Sequence, residues 1–143
     1  MRLAAFFGAA GALLSDLDVL IHAHDNPMLG LQFHRHFTHS VFMAPLLSLV
    51  VAGFWWLFFR KRINYAQTYL FICLGMMTHG MLDAMTNYGT HLFWPLTMHR
   101  ENWSIISIVD PIFTGTLLVC VLTAIIRKSK LPFIIGMLFA LNY

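Results

Sequence analysis

Long apolar runs separated by short polar clusters are the main feature of this chain. Three of these runs contain no formal charge and are 16 to 20 residues long, at 41–59, 63–82 and 111–126. Because about 20 apolar residues are needed to cross a bilayer as a helix, the runs predict three transmembrane helices. Arg60, Lys61 and Arg62 stop the first run, and Arg127 closes the third.

The two ends of the chain predict less regular helices. The apolar stretch that begins at Leu3 is followed by Asp16 and Asp18, so a helix to about Ile21 spans a membrane only if these acids face a polar interior. A signal peptide is the alternative, but no A-x-A cleavage site follows. The last 13 residues, 131–143, are typical of a helix that has been cut short.

Composition favours a membrane protein. The chain has 143 residues, of which 59% are hydrophobic and 10% charged, and its mean hydropathy is +0.71. Soluble domains carry about 25% charged residues, so we expect this chain to fold with lipid as its solvent. We predict an all-α fold, a polytopic transmembrane helical bundle of about four to five helices. It forms a single membrane-embedded domain over 1–143, which we expect to be truncated at the N-terminus and the C-terminus.

The distribution of charge argues against a nucleic-acid binder. The net charge is +3, but seven of the nine basic residues flank apolar runs. These seven are Arg2, Arg60, Lys61, Arg62, Arg127, Lys128 and Lys130. Basic residues at the ends of spans mark the cytoplasmic side of a membrane protein. If the helices alternate in direction, the loops at 22–40 and 84–109 therefore lie on the outer face.

Acidic residues and histidines recur together in short polar stretches. The stretches lie at 16–18, 34–40, 79–83 and 109–111. Ionisable groups in apolar segments are costly, and all four stretches fall at or near the predicted outer face. Their grouping indicates one shared polar site, and the combination of imidazoles with carboxylates is typical of a metal centre.

His79 and Asp83 are four residues apart at the end of a predicted helix. This spacing places both side chains on one helix face. An imidazole nitrogen and a carboxylate oxygen are ordinary ligands of first-row metals. The alternative is a hydrogen-bonded His–Asp pair that only satisfies its own polar groups.

The stretch at 34–40 contains three histidines and one arginine. If the helix that continues from Val41 starts within this stretch, His36 and His39 share a face. In the alternative arrangement, a turn brings His34 close to His39. The alternative is a solvated loop that is rich in histidine. The guanidinium of Arg35 suits a bidentate contact with phosphate or carboxylate, although an ordinary surface arginine is equally compatible with the sequence.

Asp16 and Asp18 flank one leucine and therefore do not share a helix face. If both bind a metal, the backbone there must be irregular, as at a helix end. Alternatively, one binds the metal while the other orients a histidine. Asp110 precedes Pro111, which predicts that its carboxylate caps the N-terminus of the following helix.

These motifs together resemble the YdjM-like family, which comprises bacterial inner-membrane proteins described as metal-dependent hydrolases. The segments that carry the resemblance are 15–18, 34–40, 79–90, 93–96 and 109–113. Their order and spacing make the combined match specific over roughly residues 3 to 126. Family members usually carry a further polar motif ahead of the Asp-Leu-Asp stretch and continue beyond Tyr143, which again predicts that the chain is truncated.

The resemblance implies a set of metal ligands and a reaction type. The implied ligands are Asp16 or Asp18 with His34, His39, His79 and Asp83. The family is also distantly similar to zinc-dependent phospholipase C and to helical zinc nucleases with a multinuclear site. Zinc is therefore the implied metal, and phosphoester hydrolysis is the implied chemistry.

We accordingly expect a metal-dependent hydrolase of the bacterial inner membrane, multi-pass, with its site facing the periplasm. The predicted catalytic residues are Asp83, His39 and Arg35. The predicted metal ligands are Asp16, Asp18, His34, His39, His79 and Asp83. The expected partners are membrane lipid and a lipid or small-molecule substrate. A component of a metal or proton transporter is the alternative, as is a structural protein. Transport usually needs polar groups deep in the membrane, whereas these residues cluster at one face.

Overall fold

A computed structural model describes residues 2–20 and 34–143 of the chain. Its five α-helices are α1 (Arg2–Ser15), α2 (Met43–Phe59), α3 (Tyr65–Ala84), α4 (Pro111–Arg127) and α5 (Leu131–Asn142). Short 3₁₀ helices cover Asp16–Leu20 and Phe37–His39. The described residues form no β-strand beyond isolated bridges, such as that between Thr90 and Glu101. The prediction of an all-α fold is therefore confirmed for this part of the chain.

The polar residues between the apolar runs set where the helices begin. The Asn64 side chain accepts a hydrogen bond from Gln67 N at 2.8 Å and starts α3. The Asp110 carboxylate accepts from Ile112 N at 3.1 Å and from Phe113 N at 2.9 Å, with proline in the first turn of α4. Side-chain acceptors at this position satisfy amide groups that have no partner within the helix. The predicted cap of α4 is thus confirmed.

The chain divides into two compact units, of which the smaller is centred on Ser107–Tyr143. It consists of α4 and α5, which pack as a helical pair. The rings of Phe113, Phe139 and Tyr143 contact one another, with centroids 5.3 to 6.2 Å apart. The Tyr143 hydroxyl donates to the Asp110 carboxylate at 2.9 Å. The start of α4 and the end of α5 are therefore tied together.

The larger unit, Leu3–Ile106, contains α1, α2 and α3. Helices α1 and α3 both end beside the contact between Asp16 and His79, so they run in the same direction, and their backbones approach closely. A Cβ atom placed at Gly75 would overlap the carbonyl oxygen of Gly8, and one placed at Gly11 would overlap that of Ile72. Small residues allow this approach in membrane helices, where packing rather than hydrophobicity drives association. The core beside this contact contains Phe7, Ala44, Ala52, Ile72 and Met76.

Among residues 2–20 and 34–143, one helical segment meets the length and hydropathy that a membrane span requires. It is Arg2–Leu20, which joins α1 to the 3₁₀ helix that follows. Three further helices are apolar but shorter, namely Met43–Phe59, Pro111–Arg127 and Leu131–Asn142. Large side chains on them are exposed, including Val50 (75%) and Ile126 (74%). The polytopic arrangement stays a prediction.

The close contact between α1 and α3 can be tested with one methyl group. We expect Gly75→Ala to lower the free energy of unfolding by about 1–3 kcal/mol, as overpacking does, because the added Cβ meets the Gly8 backbone. Gly53→Ala is the matched control, since a Cβ at this position of α2 meets open space. Thermal unfolding in detergent, followed by circular dichroism, measures both. Equal unfolding temperatures for the two variants would contradict this account of the packing.

Candidate metal centre

Four side chains from three separate segments converge at one end of the larger unit. The 3₁₀ helix after α1 carries Asp16, and the 3₁₀ turn before α2 carries His39. The last turns of α3 carry His79 and Asp83. One nitrogen or oxygen atom from each of the four side chains lies within 4.8 Å of the others. The predicted grouping of His79 with Asp83 on one helix face is therefore present.

Four short distances connect one ligand atom from each of these side chains. His39 Nε2 lies 3.3 Å from Asp16 Oδ1 and 3.1 Å from Asp83 Oδ2. His79 Nε2 lies 3.2 Å from Asp16 Oδ1 and 3.7 Å from Asp83 Oδ2. Two imidazole nitrogens thus face two carboxylate oxygens around one point. Two nitrogen and two oxygen ligands suit zinc and related divalent ions.

The hydrogen bonding of these atoms also fits a bound cation. His39 Nε2 and Asp83 Oδ2 are both buried, and neither makes a well-formed hydrogen bond within the described part of the chain. They are held by an ion pair at 3.1 Å whose atoms are not aligned for a hydrogen bond, and a divalent ion between them would bond to both. Exposed fractions of 42% for the Asp16 side chain and 23% for His79 leave the group accessible from one side. Solvent and a small ligand can therefore reach the group from this side.

Asp18 lies behind this group and organises it. Its buried carboxylate accepts hydrogen bonds from His34 Nδ1 at 2.8 Å, from Arg35 N at 2.9 Å and from the Thr38 hydroxyl. Asp18 Oδ2 also lies 3.6 Å from His39 Nδ1, the ring nitrogen that faces away from the four-residue group. The Thr38 hydroxyl, which donates to Asp18, lies 2.9 Å from the same nitrogen, so Asp18 orients the ring of His39 through Thr38. Asp18 and His34, both in the predicted metal set, are paired with each other beside the group.

The carboxylates also determine the charge of His39. Burial by itself lowers the pKa of this imidazole, but its contacts with Asp18 and Asp83 outweigh burial and raise the pKa of His39 to about 9. The carboxylates therefore favour the cationic form of the ring, whose charge offsets part of theirs. A divalent ion would take over this role and displace the proton, because a metal binds neutral imidazole.

Arg35 reaches the group from a strained backbone conformation. Its φ angle is 60°, in the left-handed region that residues other than glycine seldom adopt. Hydrogen bonds hold the peptide on both sides, because the Arg35 amide donates to Asp18 and its carbonyl accepts from His91 N at 3.1 Å and Thr90 Oγ1 at 2.9 Å. The side chain then places Nε 3.1 Å from Asp83 Oδ2. The predicted catalytic residues Arg35, His39 and Asp83 thus lie together.

Several residues near the four-residue group do not belong to it. The stretch before α2 forms a separate 3₁₀ turn because Ser40 is extended, so His36 does not share a helix face with His39. The His36 ring lies 4.6 Å from that of His91. Gly80 was not singled out from the sequence, although a Cβ at this position would overlap the carbonyl oxygen of His39. A glycine between His79 and Asp83 near a helix end could have indicated this close contact. The predicted outer loop at 22–40 is described only from His34 onward.

Within the described residues, apolar helices with a partly buried group of two histidines and two carboxylates are typical of a membrane protein with a candidate metal centre. The model of the YdjM inner membrane protein family matches residues 2–143, and the chain belongs to this family. The resemblance identified from the polar motifs is therefore confirmed at the level of the family.

Two relatives show how far the similarity extends. The inner membrane protein YbcI of Escherichia coli is 29% identical over 110 residues, which cover 72% of this chain and 61% of YbcI. The uncharacterized protein YfhP of Bacillus subtilis is 24% identical over 102 residues, which cover 71% of this chain and 31% of YfhP. The matched regions thus span less than two thirds of either relative. No solved structure matches the chain.

The different positions of His79 and Asp18 predict different losses of metal affinity. We expect His79→Ala to abolish tight zinc binding, because it removes a ligand atom from the group. Asp18→Asn should weaken zinc binding by about 10–100-fold without abolishing it, since the ligand atoms remain and only the orientation of His39 is disturbed. Chelator competition followed by plasma mass spectrometry of detergent-purified protein measures both.

Matched controls separate these effects from general damage. His99→Ala removes an exposed histidine, and Asp110→Asn keeps an N-cap of similar strength at α4. Both should bind zinc like the unmodified protein. Unchanged affinity in Asp18→Asn, or a loss as complete as that in His79→Ala, would contradict the assigned role of Asp18.

Proposed function

We propose that this protein is a membrane-bound, metal-dependent hydrolase of phosphoester bonds, with zinc as its metal. The observation that carries the proposal is the group of Asp16, His39, His79 and Asp83, whose ligand atoms lie within 4.8 Å of one another. Two of these atoms are buried without a hydrogen-bond partner in the described residues. A divalent ion bound there supplies Lewis acidity and a water activated near neutral pH.

Each residue of the group has a task that its contacts support. Asp16, His39, His79 and Asp83 would hold the ion, and Asp18 would orient the ring of His39 through Thr38 on the opposite side. Arg35 lies next to Asp83 and opposes the negative charge that develops on the substrate. In the reaction, the oxygen of water bonds to phosphorus and the bond to the ester oxygen breaks. The alcohol leaves with a proton, so water is the only co-reactant.

The ends of the helices support a site on the outer membrane face. The four-residue group lies at the end of α1, before the start of α2 and at the end of α3. Arg60, Lys61 and Arg62 follow the other end of α2, which has 17 residues and is therefore about 25 Å long. Basic residues favour the cytoplasm. A multi-pass arrangement in the bacterial inner membrane would thus place the site at the periplasmic headgroups, where a phospholipid is the natural substrate.

Substitution of Asp83 is the direct test of this function. Zinc-loaded protein in detergent should hydrolyse a phosphodiester reporter or a short-chain phospholipid, and Asp83→Asn should lower the rate by more than about 100-fold. Removal of even a supporting residue near a metal ligand reduces activity by about 10–100-fold, and Asp83 itself contacts His39, His79 and Arg35. Release of phosphate or alcohol, measured by chromatography, follows the reaction.

The matched control is Asp110→Asn, which makes the same chemical change at the cap of α4. It should hydrolyse the reporter at the rate of the unmodified protein. Circular dichroism and zinc content establish that each variant is folded and loaded. Equal turnover by Asp83→Asn, or no turnover by folded, zinc-loaded protein on any phosphoester, would contradict the proposed function.

A further inference from the structure

Two arginine side chains stack on one aromatic ring next to the candidate metal centre. The guanidinium carbon of Arg35 lies over the ring of Tyr88, 5.0 Å from its centroid. The guanidinium carbon of Arg100 lies over the same ring at 4.8 Å. Arginine stacks on aromatic faces through its charge and its planar group. Two cations thus share one ring, and one of them, Arg35, also lies 3.1 Å from the Asp83 carboxylate.

Arg100 is fixed by hydrogen bonds to two separate loops. Its Nη1 donates to the carbonyl oxygen of Gly89 at 3.3 Å, and its Nη2 donates to that of His34 at 3.1 Å. His34 immediately precedes Arg35, and Gly89 immediately follows Tyr88. Arg100 therefore ties together the two peptide segments that carry the arginine and the ring. A fork of this kind holds both loops, because a guanidinium presents several donors in one plane.

The Arg35 side chain is mostly buried, but two of its nitrogen atoms lack well-formed hydrogen bonds. Its exposed fraction is 15%. Nε and Nη1 are buried and make no well-formed hydrogen bond with any described residue, although Nε lies 3.1 Å from Asp83 Oδ2. Buried charged donors without partners are costly. An anionic ligand would supply acceptors to these donors.

We propose that Arg35 contacts the phosphoryl group of the substrate in an anion subsite beside the metal centre, and that Tyr88 and Arg100 are positioning residues for its guanidinium. The inference rests on the proposed function, and it adds three named residues and a ligand chemistry. A phosphoryl group offers several charged oxygens, so it can engage the metal centre and a planar guanidinium fork together. The same chemistry is present in a lipid headgroup and in inorganic phosphate.

Equilibrium binding of inorganic phosphate tests the subsite without requiring turnover. Isothermal titration calorimetry of detergent-purified, metal-loaded protein gives the Kd of phosphate. We expect Arg35→Gln to raise this Kd by about 10–100-fold, which is the loss of one charge-assisted contact. Tyr88→Leu and Arg100→Gln should raise it by roughly 3–10-fold, because the guanidinium remains but loses its support.

Two further variants distinguish positioning from general damage. Tyr88→Phe keeps the aromatic face and should retain more of the phosphate affinity than Tyr88→Leu. Arg62→Gln removes an exposed arginine from the turn between α2 and α3 and should bind phosphate normally. Zinc content and unfolding temperature are measured for every variant. A Kd in Arg35→Gln equal to that of the unmodified protein, or no phosphate binding by the latter, would overturn the proposal.

Short-chain lipids identify the source of the phosphoryl group. Tighter binding of dihexanoyl phosphatidic acid than of inorganic phosphate, with both weakened in Arg35→Gln, would assign the subsite to a lipid headgroup. Arg35-dependent binding of inorganic phosphate alone would assign it to free phosphate. Arg35-dependent binding without any hydrolysis would refute the hydrolase but retain the subsite. Hydrolysis whose KM and phosphate Kd do not depend on Arg35 would refute the subsite and retain the hydrolase.

Discussion

The buried carboxylate of Asp18 is the contact on which the rest of the site depends. A buried carboxylate is costly unless hydrogen bonds surround it, and Asp18 has donors from His34, the Arg35 amide and Thr38. These bonds fix the left-handed backbone at Arg35 and orient the ring of His39. One aspartate therefore links the end of α1 to the segment before α2. Both the cation and the imidazole that face Asp83 take their positions from this link.

Helix packing supplies the other half of the arrangement. Gly75, which contacts α1, precedes His79 by four residues and Asp83 by eight, so these three positions lie on one side of α3. Gly80 lies on a different side, where the helix passes close to the carbonyl oxygen of His39. Small residues at these two positions let α3 approach α1 and the 3₁₀ turn together. His79 and Asp83 follow on the same helix, so their distance from Asp16 and His39 is set by this close approach. Packing and chemistry are thus properties of one helix.

The sequence was informative where local spacing decides the structure. The four-residue spacing of His79 and Asp83 predicted their common face, because helix geometry determines it. The different roles of Asp16 and Asp18 were open, since they depend on how α1 gives way to a 3₁₀ helix. Arg100 lies 66 residues from its partner His34, and no periodic pattern records such a contact. Long-range contacts in loops are therefore the part of the site that the sequence left undecided.

Two His–Asp pairs in the site differ in their hydrogen bonding, and this difference supports a ligand at one of them. In the Asp18–His34 pair, carboxylate and imidazole meet at 2.8 Å in a proper hydrogen bond. A few ångströms away, His39 Nε2 and Asp83 Oδ2 are also close, at 3.1 Å, yet both lack such a bond in the described part of the chain. Charge rather than aligned hydrogen bonds holds the second pair, since Asp83 Oδ2 also lies 3.1 Å from Arg35 Nε. The contrast argues that the second pair is arranged around something it binds, which is the premise shared by the metal centre and the phosphoryl subsite.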